Sequence, residues 1–160
     1  MSLQRPFRAA FLVLALLSCG GARPPAPTVH TGPAGLKDIV DLPYGSGAVR
    51  WLERLDAPAG CGWVPGPSDS EVFGDVALDS PGWTTLESKT GPATARGQVL
   101  VPEGIAETLF DATDLAAIPR DGDMRVIEGP RIELARVLKK AYRAEAVRWR
   151  YVLVLRLATQ

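Results

Sequence analysis

The 160-residue sequence contains one histidine and two cysteines, and this scarcity limits the chemistry available to the chain. The histidine, His30, lies in the N-terminal 35 residues, as does the first cysteine, Cys19. From Leu36 onwards there is no histidine, which excludes Ser-His-Asp and Cys-His catalytic arrangements there. Zinc sites built from cysteine and histidine are excluded for the same reason.

The sequence also lacks a net charge of either sign, and it lacks nucleotide-binding motifs. The formal net charge is zero, so nothing global indicates nucleic acid binding. The segment "YGSGAV" at 44–49 lacks the remainder of a dinucleotide-binding fingerprint, and no GxxxxGK motif is present. We therefore predict no cofactor and a role other than catalysis. With 18 acidic residues, a carboxylate-dependent hydrolase remains the enzymatic alternative.

Clustered aspartates raise the question of a calcium site, because hard cations prefer oxygen ligands. The spacing of the cluster matches no EF-hand loop, and its last two members flank a glycine as in a tight turn. We therefore predict no metal site. The cluster consists of Asp111, Asp114, Asp121 and Asp123.

The N-terminus has the pattern of an export signal. Arg5 and Arg8 precede the uncharged run Ala9–Leu17, and Ser18 and Cys19 follow it. A basic region, a short apolar run and a small residue at its end are typical of a signal peptide. The run is too short to span a bilayer, which needs about 20 apolar residues.

The segment Leu16-Leu17-Ser18-Cys19 resembles the lipobox of bacterial lipoproteins, although Leu17 stands where that family more often has Ala, Ser or Thr. The resemblance covers residues 1–20 and implies cleavage between Ser18 and Cys19. It also implies that Cys19 carries a thioether-linked diacylglycerol and an amide-linked fatty acid, which together anchor a protein stably. In the lipoproteins of two-membrane bacteria, an aspartate directly after the cysteine favours retention at the inner membrane. Because Gly20 stands at that position here, the resemblance points to the outer membrane, with the protein facing the periplasm or the cell surface. The alternative is an ordinary secretory peptide with an incidental cysteine.

The next stretch, "GGARPPAPTVHTGPAG" at 20–35, has neither a helical nor a strand period. We predict a tether that reaches about 50 Å in polyproline geometry, with His30 solvated inside it. The predicted organisation is a signal peptide at 1–18, a lipidated cysteine and tether at 19–35, and one globular domain at 36–160.

Periodicity within 36–160 predicts an α+β domain, mostly antiparallel sheet with two or three helices. Strict alternation predicts one strand over 146–158. Its core face would carry Val147, Trp149, Tyr151, Leu153, Leu155 and Leu157. Further strands are predicted at 71–79, 82–88 and 95–101, and after the Asp-Gly turn of 120–128. Helices are predicted at 47–55, 102–119 and 129–145, with a hairpin as the alternative for the last.

Charge is distributed unevenly along the domain. Residues 66–123 hold 11 acids and 3 bases, whereas 124–160 hold 9 bases and 3 acids. One explanation is cross-strand pairing inside a single sheet. The other is a basic face that meets an acidic protein, a lipid headgroup or a polyanionic cell-wall polymer. That face would consist of Arg143, Arg148, Arg150 and Arg156.

Two other residue types are singled out. Cys61 is the only thiol left if Cys19 is acylated, and we expect it to be buried or inert, with pairing to another chain or reactivity as alternatives. The tryptophans Trp51, Trp63, Trp83 and Trp149 are expected mainly in the core, with stacking on a ligand as the alternative.

These patterns together predict a lipid-anchored cell-envelope protein. We expect a structural or adaptor component of an outer-membrane or periplasmic assembly, partnered by the membrane through its lipid and by an envelope protein. The first alternative is a module that binds an envelope glycan or an anionic lipid. A carboxylate-dependent hydrolase is the third possibility.

Overall fold

The structure, a computed structural model, describes residues 27–55 and 70–159. The predictions for the leader, for Cys19, for Cys61 and for Trp63 fall outside these residues. The described part confirms a mostly antiparallel sheet with helices. It contains four α-helices where two or three were expected.

The sheet has eight strands, all paired antiparallel. In chain order they are β1 (Val29–Thr31), β2 (Val49–Leu55), β3 (Ser70–Ala77), β4 (Thr94–Pro102), β5 (Arg120–Asp121), β6 (Met124–Arg131), β7 (Ala141–Trp149) and β8 (Val152–Thr159). The helices are α1 (Leu36–Ile39), α2 (Ser80–Thr90), α3 (Glu103–Leu109) and α4 (Ala112–Ala117), and a 3-10 turn covers Leu134–Arg136.

The spatial order of the strands is β1-β2-β3-β8-β7-β6-β4, with β5 paired to β6. The C-terminal strands β7 and β8 therefore lie in the centre of the sheet, between β3 and β6. The three-residue strand β1 forms one edge and β4 forms the other.

Helices cover both faces of this sheet. On the face that we call the first, Leu36 of α1, Leu86 of α2 and Leu134 of the 3-10 turn pack against Val72 and Leu155. On the second face, helix α3 and the end of α4 pack against Phe73, Val147 and Val154. Both faces of β8 are thus buried, which explains its continuous apolar run.

The segment predicted as one strand over 146–158 is two strands joined by a tight turn. Trp149 pairs with Val152, and Arg150 has a φ of 53°, a conformation that favours glycine. Tyr151, predicted in the core, is 82% exposed. The prediction of a single core face is wrong: Val147 and Trp149 pack on the second face. Leu153, Leu155 and Leu157 pack on the first. No Gly or Asn marks the turn, so alternation alone could not reveal it.

The predicted helix over 129–145 is also wrong. The region contains the end of β6, the 3-10 turn and the start of β7, and β6 and β7 run antiparallel with Arg131 opposite Val147. The hairpin alternative is therefore nearer to the structure. Leu134, which starts the 3-10 turn, and Val137, which directly follows it, are both buried on the first face, and this accounts for their helical spacing.

Of the remaining predicted helices and strands, some are confirmed and others are wrong. The strands at 71–79 and 95–101 and the helical region at 102–119 are confirmed, although Asp111 caps a second helix and so divides that region into α3 and α4. The strand predicted at 82–88 is wrong, because Asp79 accepts the backbone N–H of Gly82 and starts α2. The helix predicted at 47–55 is strand β2, whose two neighbours in the sheet override its ambiguous pattern.

The sheet begins earlier than the predicted boundary at Leu36. Strand β1 pairs with β2 inside the segment predicted as a tether. The exposed His30 ring is not free but stacks on Trp51 at a centroid distance of 4.3 Å, and the Trp51 indole N–H donates to the Gly32 carbonyl. Three residues that pair mainly through their backbone carry too little pattern to be recognised from sequence.

Candidate functional site

Charged side chains cross the second face of the sheet in a row. Four of them lie two positions along their strand from a buried second-face residue, and the fifth, Arg143, lies two positions from Glu145, so all point to the same side. The row, called the charged row below, runs over β2, β3, β8 and β7. In order, it consists of Arg54, Glu71, Arg156, Glu145 and Arg143.

Neighbouring members of the charged row are ion-paired. Glu71 accepts hydrogen bonds from Arg54 and Arg156, and the Arg156 Nε to Glu71 Oε1 distance is 2.9 Å. Glu145 lies opposite Arg156, with Oε2 at 3.9 Å from Nη1, and its Oε1 accepts from Arg143 Nη2 at 2.8 Å. With three arginines and two glutamates, the row carries one net positive charge.

The buried Phe73 ring lies beneath two arginines of the charged row, Arg54 and Arg156. The guanidinium groups of Arg54 and Arg156 lie 5.8 and 5.7 Å from the centroid of its buried ring. Such cation–π contacts hold both groups over the ring. The exposed end of the row is Arg143, whose side chain is 71% accessible. The neighbouring Tyr142 is 57% exposed.

Two depressions meet at Arg143 and Glu145. The smaller has a volume of about 170 Å³ and is lined by Ser70, Glu71, Tyr142, Arg143, Glu145, Arg156 and Ala158. The larger, of about 500 Å³, is lined by Gly97, Gln98, Arg131, Arg143, Ala144, Glu145 and Ala146. Both are mainly polar, so this end of β7 can offer hydrogen bonds and charge to a ligand.

The structure separates the four arginines predicted to form one basic face. Arg143 and Arg156 belong to the charged row, whereas Arg148 lies on the first face, 4.4 Å from the Trp83 ring centroid. Arg150, in the β7–β8 turn, pairs with Asp114 and lies 4.5 Å from the Trp149 ring. A single face of four arginines is therefore wrong. The pair between Arg156 and Glu71 favours the other explanation, cross-strand pairing inside a single sheet, whereas the pair between Arg150 and Asp114 joins a turn to α4.

A second pair of opposite charges lies beside the charged row on β2 and β3. Arg50 donates to Asp75 through Nε at 3.3 Å and Nη2 at 2.6 Å. Burial raises the pKa of Asp75, and the hydrogen bonds from Arg50 offset this only in part. Sequence reasoning missed Glu71 and Asp75, although two carboxylates flanking Phe73 in an otherwise buried strand were a visible signal. Both are bound by guanidinium groups, an arrangement suited to ion pairing.

The aspartates considered for calcium serve as caps and turns. The Asp111 side chain accepts the Asp114 backbone N–H at 2.8 Å and so caps α4. The predicted turn at 121–123 is confirmed, with Gly122 at a φ of 61°. Within 27–55 and 70–159, no three His, Cys, Asp or Glu residues are placed to hold a metal ion.

The described tryptophans are mainly packed inside. Trp51 and Trp83 are buried on the first face, which confirms the expectation for these two. Trp149 is half-buried and meets Phe110 edge to face, with the ring centroids 5.8 Å apart.

Comparison with protein-family models, with curated proteins and with solved structures finds no match to this chain. Among the residues that the structure describes, no helix is long and apolar enough to cross a membrane.

Proposed function

We propose that this chain is a lipid-anchored cell-envelope protein of the outer membrane whose sheet acts as an adaptor for an envelope partner. The observation that carries the proposal is the lipobox-like run that ends at Cys19. Because β1 starts at Val29, only residues 20–28 separate that cysteine from the sheet. Nine extended residues reach about 30 Å, so the anchor would hold the sheet near the membrane.

The surface around Arg143 and Tyr142 supports a binding role. Arginine and tyrosine are the residue types most often found at the energetic centres of protein interfaces. Here both are exposed, and Arg143 lies between two polar depressions. The net positive charge of the charged row fits an acidic patch on the partner.

The anchor is tested by metabolic labelling with a fatty-acid analogue. We expect the wild type to be labelled and membrane-bound, and Cys19→Ala to be unlabelled, because its position 19 has no thiol to acylate. Equal label on both proteins would refute the anchor.

The binding surface is tested by cross-linking in intact bacterial envelopes followed by pull-down. We expect Arg143→Gln combined with Tyr142→Ala to lose a partner that the wild type captures. The matched control is Arg120→Gln combined with Tyr151→Ala, which removes the same two side-chain types from exposed positions elsewhere. If the control loses the partner equally, or neither variant does, the adaptor surface lies elsewhere.

A second candidate, binding of an envelope glycan, is favoured by one detail. The exposed Tyr142 ring lines the 170 Å³ depression together with the carboxylates of Glu71 and Glu145. An aromatic ring beside hydrogen-bond acceptors suits a sugar. Calorimetry with soluble cell-wall fragments would show binding that Tyr142→Ala abolishes and Tyr151→Ala leaves intact. Heat signals indistinguishable from buffer for the wild type would exclude this candidate.

A further inference from the structure

All four lysines of the chain lie in or beside α1, and the ammonium groups of two of them meet at Asp41. Lys89 Nζ lies 2.8 Å from Asp41 Oδ2, and Lys139 Nζ lies 3.9 Å from Asp41 Oδ1. Lys139 Nζ also donates to the Lys37 carbonyl at 2.9 Å. The lysine cluster, as we call it, consists of Lys37, Lys89, Lys139 and Lys140.

The folding of the chain around α1 builds the lysine cluster. Lys139 and Lys140 both donate their backbone N–H groups to the Ile39 carbonyl, which joins the segment before β7 to the end of α1. Lys89, in the last turn of α2, approaches from the side. Residues far apart in sequence thus converge, and their side chains are exposed.

The lysine cluster carries an excess of positive charge. Asp41 accepts ion pairs from two lysines, and its pKa is lowered, chiefly by the hydrogen bond from Lys89. The acid inside α1 is Asp38, and the ammonium of Lys37 lies 5.7 Å from the Tyr44 ring centroid. Counted together, the four lysines and these two aspartates carry two net positive charges on an exposed surface.

The start of β1 points towards the end of the sheet at which this cluster lies. That end is marked by the register partners Leu55, Ser70, Thr159 and Ala141. Lys139 and Lys140 directly precede Ala141. In β1, Val29 lies opposite Leu52 and Thr31 opposite Arg50, so β1 starts on the side of the Leu55 end.

The distance between β1 and β7 is short enough for the lipid anchor and the lysine cluster to face the same membrane. From β1 to β7 there are four strand spacings, which at about 4.8 Å each come to about 19 Å. The segment from Cys19 to the sheet reaches about 30 Å when extended. An anchor at Cys19 therefore allows the lysine cluster to rest on the bilayer that holds it.

We propose that the lysine cluster binds the anionic headgroups of the membrane in which Cys19 is anchored. This inference rests on the proposed lipid anchor and supplies the orientation of the sheet. Each lysine close to an anionic surface strengthens membrane binding about fivefold. Lipid chains and a basic surface are complementary anchoring signals.

The test uses the lipidated full-length protein, inserted from detergent into preformed vesicles. One set contains phosphatidylcholine only, and the other adds phosphatidylglycerol. A water-soluble amine reagent then modifies the exposed lysines, and peptide mass spectrometry reads each position. We expect several-fold less modification of all four lysines on the anionic vesicles, with protection lost in about 1 M salt, where electrostatic range falls to about 3 Å.

Variants show whether the lysine cluster itself makes the contact. Lys139→Gln combined with Lys140→Gln should restore modification of Lys37 and Lys89 on anionic vesicles to the level on neutral ones. The matched control, Arg96→Gln with Arg120→Gln, removes two exposed cations elsewhere and should keep the protection.

Three results would overturn the inference: equal modification on both vesicle types, protection that survives high salt, or an equal loss of protection in the control. Protection by inorganic phosphate on neutral vesicles would also overturn it, because the cluster would then be a free-anion site.

Failure of the anchor is visible separately, as a protein that neutral vesicles do not retain. In that case co-sedimentation of the two double variants with anionic vesicles still tests the lysine cluster. The wild type and the control should sediment, and the lysine variant should remain in solution. Equal sedimentation of all three would count against the inference.

Discussion

The pair of Arg50 and Asp75 shows how a single residue makes a buried charge tolerable. The Asp75 side chain is only 5% exposed, and Arg50 lies directly opposite on β2. Hydrogen bonding to Asp75 raises the pKa of Arg50, while burial raises the pKa of Asp75. The guanidinium therefore offsets part of the cost of placing a carboxylate between strands.

Arg50→Ala should lower the free energy of unfolding by about 1.5–3 kcal/mol, because it leaves the buried Asp75 carboxylate without its charged hydrogen-bond donor. Loss of Arg50 removes a group that lowers the pKa of Asp75, so this pKa rises further in the variant and the folded variant binds the proton more tightly than the folded wild type does. The deficit relative to the wild type should therefore narrow as the pH falls through the pKa of Asp75 in the variant. Urea unfolding at several pH values measures this, and Arg50→Ala with Asp75→Asn should recover part of the loss. An unchanged unfolding midpoint for Arg50→Ala would contradict the argument.

At the scale of an element, the β7–β8 hairpin contributes buried side chains to both faces of the sheet. Leu153 is fully buried on the first face, whereas Tyr151 projects from the turn. Arg148 covers the Trp83 ring and is not simply solvated. Neighbouring positions of one hairpin therefore differ sharply in their contribution to stability.

Leu153→Ala should cost about 2–5 kcal/mol of unfolding free energy, as expected for a buried leucine. Tyr151→Ala should cost less than about 0.5 kcal/mol, because the ring is exposed. Arg148→Gln should fall between them, at about 0.5–1 kcal/mol, through loss of the cation–π contact. Chemical denaturation ranks the three variants. A tyrosine variant as unstable as the leucine variant would show that the turn is packed.

The helices α3 and α4 depend on one arginine of β6. Arg125 donates through Nε and Nη2 to Glu103, at 2.6 and 2.7 Å, and through Nη1 to the carbonyls of Leu115 and Ile118. The hydrogen bonds from Arg125 lower the pKa of Glu103. Arg125 thus connects the start of α3 with the end of α4.

Arg125→Met should loosen α4 without unfolding the sheet. We expect faster hydrogen exchange of the α4 amides, while those of β7 and β8 keep their protection. The pKa of Glu103 should rise towards its ordinary value. Since the wild-type pKa is depressed, the stabilisation by Arg125 is present above the unfolded pKa and is lost as the pH falls through the folded pKa. Uniform exchange changes over the whole sheet would contradict a local role.

At the scale of the whole molecule, β1 decides where the folded part begins. It pairs with β2, and His30 covers Trp51. The prolines and glycines around this strand disguise it as a tether. The consequence is a shorter link to Cys19 than composition indicates.

A chain that lacks residues 1–35 should therefore be less stable than one that lacks 1–26. We expect a difference of about 1–2 kcal/mol, because stacking on Trp51 and the backbone pairs of β1 are lost. Thermal unfolding of the two truncated chains provides the measurement. Equal thermal unfolding midpoints for the two chains would show that residues 27–35 do not contribute to stability and that the folded domain starts at Leu36.

Local chemistry explains what could be predicted from the sequence alone. The scarcity of histidine is a matter of composition. The Gly- and Pro-bounded stretches that form β3 and β4, the Asp-Gly turn and the helical spacing after Pro102 are properties of neighbouring residues. The lipobox-like run at Cys19 is of the same kind, and the anchor stays a prediction. None of these signals requires knowledge of distant contacts.

Only the tertiary structure decided which surfaces the charges share. A strand covered on both faces has no polar side to set its register, so the alternation of 146–158 concealed the turn at Arg150 and Tyr151. Arg156 pairs with Glu71 across strands, and Arg150 pairs with Asp114 of α4. The packing of α1 and α2 brings Lys37, Lys89, Lys139 and Lys140 near one another from three parts of the chain. The reason is physical: strand order and helix packing fix distances between residues that the sequence separates, and local periodicity contains no information about them.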